Sequence, residues 1–473
     1  MKVAISLVVA IAFGGAATRP AGAQILVNPG GSLASPLGTS PFLGSVPTGT
    51  RTAEPIRLTV GEAIGRALQY NLGLLMAEHG TERANGARWQ ALGDLLPNAN
   101  GSLIERRQVV NLAAFGFPLP VGIPPIVGPF NVFDARLAVE QRVFDLRALN
   151  DWKAEQHNQA AAELSYKSAR DIVVLASSNA YLQALATAAR SESAQAQLRT
   201  AEALSSQAGD LKTAGLVAGI DVLRAQLQAS TQRQRATAAQ NDAEKAKLQL
   251  ARVIGLPTGQ AFTLVDELPA IPEPDVTLES AVEQALKTRP DYQAAIERLR
   301  AAEAERQSAV SEQLPSVRVN ADWGVIGLTP STAERTYTIA GAVNVPIFKG
   351  STKGRLLETD AALRSRRAEV DDMRNAIYYE VQSELLDLRS TGEQLKVATQ
   401  ARELAAEQLT QARDRLAAGV TDTIEVVQAQ EAVSLASEQY IGASYGFNLA
   451  KALLARGLGI AEAAARQYIG DLR

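Results

Sequence analysis

The chain is poor in the side chains that usually do chemistry. Its 473 residues include no cysteine and two histidines, His79 and His157. Without cysteine there is no disulfide, thiolate metal site, thiol nucleophile or acylated N-terminal cysteine. Two histidines so far apart in sequence do not compose a metal centre or a triad. No paired carboxylates at convincing spacing, no Ser-His-Asp set and no glycine-rich phosphate loop are found. The chain is therefore expected not to be an enzyme and to need no cofactor or metal. What stands out instead is a matched pair of acids: Asp221 follows Gly215 at the same spacing as Glu425 follows Gly419. In the first turn of a helix, each carboxylate is favoured by the helix dipole by roughly a few tenths of a kcal/mol.

The two acids match because their surroundings are duplicated. Ala214 to Gln226 (AGLVAGIDVLRAQ) returns as Ala418 to Gln430 (AGVTDTIEVVQAQ), an offset of about 204 positions. The same offset carries Leu250-Ala251-Arg252 onto Leu454-Ala455-Arg456 and Phe144 onto Phe348. Upstream, an offset of about 218 carries Ala63, Ala67, Leu68 and Pro97 onto Ala281, Ala285, Leu286 and Pro315. The change of offset marks a longer loop in the first copy. One supersecondary unit, used twice, must account for the whole chain.

Most of that unit is helix. Residues 145–208 contain no Gly or Pro and are dominated by Ala, Gln, Glu, Leu, Arg and Lys, which predicts one very long helix. Leu175, Leu182, Ala189, Ala196 and Ala203 recur at coiled-coil spacing within it. A return helix is expected over 220–254. The second copy predicts the same hairpin over 355–418 and 423–456, with Gly419 supplying the left-handed residue that reverses the chain. Shorter helices are expected over 60–92 and 278–312, each stopping before its proline. Helices alone fit a coiled-coil rod equally well.

Four segments depart from the helical pattern. Val317, Val319, Ala321, Trp323 and Val325 alternate with Ser316, Arg318, Asn320, Asp322 and Gly324, a period of two with one apolar and one polar face. Strands are expected at about 98–111, 131–144, 316–327 and 335–347, each the length of a tilted transmembrane strand. No apolar element is left over to cover such a sheet, and aromatics sit at strand ends (Phe144, Phe348) or within one (Trp323), as interfacial girdles do. The expected fold is thus mainly α with a membrane β-barrel, built from duplicated helix-strand-strand-helix halves. Four strands cannot close a barrel, and bare edges are not tolerated in lipid, so several copies must share one.

Composition and targeting agree with this. The net charge of −3 comes from scattered acids and bases, with no basic cluster for nucleic acid. Lys2, an apolar stretch to Ala17 and Ala21-Gly22-Ala23 fit a cleaved signal peptide over 1–23. A flexible leader is expected over 24–56, a first repeat over 57–257, a linker over 258–276, a second repeat over 277–459 and a tail over 460–473. The apolar, Pro- and Gly-rich loop 112–130 is placed at the outer mouth, where it folds into the pore, touches lipid or packs as a rigid hairpin.

On these residues the chain resembles the TolC family of outer-membrane efflux proteins. The match lies in the order of the halves, Leu96-Pro97 and Leu314-Pro315 before the outgoing strands, Val345-Pro346-Ile347-Phe348 after the last, and the two Ala-Gly turns followed by Ile-Asp-Val-Leu and Ile-Glu-Val-Val. The resemblance implies a homotrimer in the outer membrane, with an α-helical barrel in the periplasm continuous with a shared 12-stranded β-barrel, four strands per protomer. It implies a periplasmic adaptor and an inner-membrane pump as partners, and outer-membrane lipid around the barrel. Residues 257–276 and the tail would form a belt around the tunnel's middle. Pro97, Phe144, Pro315, Pro346 and Phe348 would mark the barrel junction.

The same resemblance implies that the tunnel closes at the Ala-Gly turns, so Gly215, Leu216, Gly419 and Val420 would form the periplasmic tip and meet the adaptor. Asp221 and Glu425 fall on two acidic positions of the constriction. A further acid is Gln428 here, and the family's arginine and tyrosine positions are Thr421 and Leu416, so the closing network must differ. Three copies of an acid at a narrow pore attract cations and hinder anions. The function implied is a passive exit duct of a tripartite efflux or type I secretion system; a structural or adhesive envelope stalk anchored by the barrel is the alternative.

Overall fold

A computed structural model describes residues 40–116, 124–215, 217–266, 276–421 and 423–468. The expected signal peptide, residues 24–39 of the leader, Leu216, residues 267–275 of the linker and 469–473 of the tail lie outside the described residues. The first half opens with a short strand, β1 (Ile56–Leu58), and helix α1 (Val60–Tyr70), started by a capping box between Thr59 and Glu62. Helix α2 (Leu72–Gly93) leads into β2 (Asn98–Asn111) and β3 (Ile126–Phe144). The long helix α3 (Leu146–Thr213), N-capped by Asp145, and its return arm α4 (Gly219–Val253) follow. Strand β4 (Phe262–Leu264) then pairs in parallel with β1. The second half repeats the order with α5 (Leu278–Thr288), α6 (Pro290–Ser311), β5 (Ser316–Gly327), β6 (Glu334–Asn344), α7 (Ser351–Ala417) and α8 (Thr423–Gly457), and α9 (Ala461–Tyr468) comes last. At about 1.5 Å per residue, α3 runs for roughly 100 Å.

Several sequence expectations change. The helices expected over 60–92 and 278–312 are each broken by an elbow. At Asn71 the backbone turns extended (ψ 129°), and the side chain caps α2 through the Gly73 N–H. At Arg289 (ψ 115°) the following Pro290 disfavours helical backbone. The sevenfold series in α3 also drifts. Ala196 and Ala203 are exposed, and the buried line passes instead through Ser191, Ala201, Leu204 and Ala208, because 3.6 residues per turn do not keep step with sevens. Finally, residues 40–56 of the expected leader pack down on the first repeat. Phe42 lies so close to Gly73 that an added Cβ there would meet its ring at 2.4 Å, and the Val46 N–H donates to the Tyr70 carbonyl at 2.8 Å.

The core is the same joint made twice. Val60, Ala63, Ile64 and Ala67 of α1 pack on Val173, Val174 and Tyr181 of α3 and Leu250 of α4. Ala281 and Ala285 of α5 pack on Ile377, Val381 and Leu385 of α7 and Phe447 and Leu454 of α8. One stretch of α3 is long and apolar enough to cross a membrane, but 56% of it is buried inside the protein. Tyr181, fully buried, anchors the β1–β4 ribbon: its hydroxyl lies 2.9 Å from the Leu58 carbonyl and 2.8 Å from an Asp266 carboxylate oxygen, which also accepts from the Val60 N–H at 2.7 Å. Tyr181→Phe removes the side-chain donor from this cluster and leaves the Leu58 carbonyl and the Asp266 carboxylate with the Val265 and Val60 N–H groups. It should lower stability by about 1–3 kcal/mol in denaturant titrations, and an unchanged midpoint would show the anchor to be idle.

Strands β2, β3, β5 and β6 form one antiparallel sheet in the order β2-β3-β5-β6, leaving β2 and β6 as its edges. Cross-strand rows define its faces. One row is Ala99, Val139, Ala321 and Ile339, and the next is Gly101, Leu137, Trp323 and Tyr337, all on the apolar face. The other face carries Arg136, paired with both Asp134 and Asp322, and Arg318 beside Glu140 at 3.4 Å. A register shift between Arg142 and Phe144 brings Phe144, not its neighbour Val143, opposite Val317; the extra residue of a bulge moves the aromatic onto the apolar face. β3 begins five residues before the expected 131, so the loop 112–130 is shorter than its sequence indicates.

Candidate channel constriction

Both long hairpins reverse through a left-handed glycine, Gly215 at φ 75° and Gly419 at φ 69°. In the second, the Val420 N–H reaches back to the Arg415 carbonyl and the Gly419 N–H to the Leu416 carbonyl, each at 3.0 Å. This satisfies carbonyls that the end of α7 would otherwise leave bare. A side chain at Gly419 would strain the left-handed backbone. The return helices then start with an acid in their first turn, Asp221 in α4 and Glu425 in α8.

The structure separates the two acids by environment. Glu425 accepts a short hydrogen bond from the Thr421 hydroxyl, and the Arg415 Nε lies 3.6 Å from its other oxygen. With Gly419, Val420, Thr421, Ile424 and Gln428 it lines an open hollow of about 570 Å³. Five of the expected tip and constriction residues thus meet in one place. Asp221 lies outside that lining. It accepts from the buried Thr423 hydroxyl and from Arg224, both at 3.3 Å, so its carboxylate ties the start of α4 to the start of α8. Gly215 turns the first hairpin without lining the hollow, and Leu216 is outside the described residues.

Arg415, Arg224 and Thr423 were not singled out by sequence. The arginine sought was two residues after Gly419, a place held by Thr421, whereas Arg415 reaches Glu425 from the end of the preceding helix. A basic residue in the last turn of α7 was the available signal. Exposed pairs such as Arg415–Glu425 are worth about 0–1 kcal/mol each, so this arrangement is easily parted. Chemically it offers a carboxylate, an amide and a hydroxyl around an open space, which suits charge selection.

The expected junction residues lie where helices meet strands. Pro97 and Pro315 precede β2 and β5, and Pro346 and Phe348 follow β6, with Phe348 92% exposed. Beside them the nearly buried Glu312 gathers Lys349 at 3.1 Å, Arg147 at 3.7 Å and Arg355 in closer contact. This hub joins the end of α6 to the starts of α3 and α7.

Comparison with known proteins bears on what this tip belongs to. The family model for outer membrane efflux proteins matches residues 63–256 and 281–459, one segment in each repeat. Among solved structures, the Campylobacter jejuni CmeC outer membrane channel is similar, with 16% identity, 91% of this chain and 94% of that one covered, and a TM-score of 0.75. A membrane protein from Pseudomonas aeruginosa shares 20% identity over 88% of this chain and all of that one, with a TM-score of 0.74. The open state of the Neisseria gonorrhoeae MtrE outer membrane channel shares 17% identity over 88% and 95%, with a TM-score of 0.70. At these identities the likeness is one of fold. No curated protein sequence matches.

Proposed function

Because the chain belongs to the TolC-type family of outer membrane efflux proteins, and so acts in the outer membrane, we propose that it is the passive exit duct of a tripartite efflux or type I secretion system. Three copies close the sheet edges into a barrel of twelve strands, and their helices continue it as a periplasmic tunnel. An inner-membrane pump supplies the energy, and a periplasmic adaptor meets the Gly215, Leu216, Gly419 and Val420 tip.

The observation that carries this reading is the four-stranded sheet with two unpaired edges, an apolar face and a charged opposite face. In hydrocarbon every backbone group must be paired, so sister chains have to supply the missing strands. The outer helices favour the same assembly, since α4 exposes Leu223 and Leu227 and α7 exposes Val397 and Leu404, apolar surface that a neighbouring copy covers. Residues 258–276 and 460–473 take the belt around the tunnel's middle, and residues 1–23 direct export.

Glu425, with Thr421 and Gln428 beside it, forms the charged ring of the constriction, and Asp221 supports it from α4. In planar bilayers the purified protein should show trimer-sized conductance with cation preference. Replacing Asp221 and Glu425 together by Ala should lower that preference severalfold, and Glu425→Ala alone should account for more of the change than Asp221→Ala. Unaltered selectivity in the double variant would remove the ring from the proposal; absence of any channel would remove the duct.

A further inference from the structure

Chain direction and cross-strand register give the apolar face of the sheet an inner and an outer end. β2 and β5 leave helices at their first residues, and β6 runs back toward α7, so Val317 and Val343 lie at the helical end. Rows then ascend through Ala321–Ile339 and Trp323–Tyr337 to Val325–Arg335. Arg335 therefore ends the apolar face on β6, directly past the aromatic row. On β2 the same face continues outward from Leu103, which shares the row of Ala135, Val325 and, through β5, Arg335, to Glu105 and then Arg107, four residues beyond that row.

Arg335 and Arg107 are exposed, and neither has a carboxylate within ion-pair distance among the described residues. Most other arginines of the sheet are paired: Arg136 with Asp134 and Asp322, Arg318 with Glu140, Arg142 with Asp94. Glu334, next to Arg335, points to the opposite face because neighbours in a strand alternate. A free guanidinium on a lipid-facing surface is expensive at the bilayer centre but costs little at its margin. Just inward of Arg335, Tyr337 is 75% and Trp323 59% exposed, side chains that settle at the headgroup level.

We propose that Arg335, with Tyr337 and Trp323 below it and Arg107 on the other edge strand, binds the phosphate groups of an anionic outer-leaflet glycolipid of the lipid A type. This rests on the outer-membrane reading of the sheet. Arginine's planar fork matches phosphate oxygens in a bidentate way, and the aromatic row takes the first acyl segments. Glu105 leaves the rim one positive charge in excess per chain on this face, so three copies make a ring that suits a multiply charged headgroup.

The test uses the full-length channel in detergent, titrated with diphosphoryl lipid A, dephosphorylated lipid A or phosphatidylglycerol, and read by thermal unfolding and native mass spectrometry. Diphosphoryl lipid A should bind and raise Tm, and the other two should bind at least about tenfold more weakly, the loss expected for a charge-assisted contact. Arg335→Ala with Arg107→Ala should weaken diphosphoryl lipid A about tenfold or more and leave the conductance of the inserted channel unchanged, while Arg335→Lys should retain part of the binding. Equal binding by the double variant, or by the dephosphorylated lipid, overturns the site; equal binding of phosphatidylglycerol overturns the assignment to a glycolipid. A wild-type protein that forms no channel at all would instead count against the duct on which the site depends, so the two failures are told apart.

Discussion

Ile339→Arg should keep the protein out of the membrane, while Ala340→Arg, one residue away, should not. Ile339 is 74% exposed on β6, in the middle rows of the apolar face beside Ala321. Ala340 pairs with Asn320, which faces Glu140, on the polar side. An arginine at the bilayer midplane of a barrel costs about 2–4 kcal/mol, and every copy in the assembly bears it. The Ala340 substitution places the same charge toward the lumen, where it changes conductance instead. Heat-modifiable oligomer in outer-membrane fractions reports the difference. Equal insertion of both variants would mean that the sheet's alternation does not separate lipid from water.

Glu384→Gln should abolish most of a loss of stability that the wild-type protein shows between pH 6 and pH 8. Glu384 lies in α7 at the joint with α8, 9% exposed, and one of its oxygens has no hydrogen-bond partner among the described residues. It fills the space opposite Gly457, where an added Cβ would sit 1.8 Å from the carboxyl oxygen. Burial, helped by the charge of Glu380 and opposed by Arg456 and Arg289, pushes its pKa up to about 8. The folded state thus holds a proton that the unfolded chain releases near pH 4. The stabilising contribution is complete below the unfolded pKa and is lost as pH rises toward 8, at a rate of up to about 1.4 kcal/mol per pH unit. Asp171, raised to about 6 mainly by burial, acts in the same direction but lower, so the upper part of the window belongs to Glu384. Glutamine keeps the shape and cannot titrate. A Gln variant whose stability still falls between pH 6 and pH 8 would assign the slope elsewhere. Gly457→Ala should be destabilising at every pH, because the carboxyl group would have to leave its place.

Much of the architecture was legible before the structure. The repeated Ala-Gly turns located both hairpin reversals, and the absence of Gly and Pro from 145–208 marked α3. Period-two alternation in 316–327 separated Trp323 from Asp322 onto opposite faces, as the sheet confirms. Each of these signals is local: helix formers in a row, a residue able to take positive φ, or one face turned to a different solvent. They need no knowledge of distant partners. Glu425, Thr421 and Gln428 could be grouped for the same reason, since they lie within two turns of one another.

What depended on chain segments far apart was decided by the tertiary structure. Sequence could pair Asp221 with Glu425 as equivalents but not show that Asp221 binds Thr423 across the two halves while Glu425 lines the hollow and meets Arg415. It gave no sign that Glu384 would lie against Gly457, nor which residues of α3 are buried once neighbouring helices surround it. A one-residue bulge at Arg142–Phe144 was equally silent, because it changes no composition and only one register. Periodicity reports which face of an element avoids water. Which side chain meets it there is set by packing among elements far apart in the chain, where small differences in twist and register choose the partner.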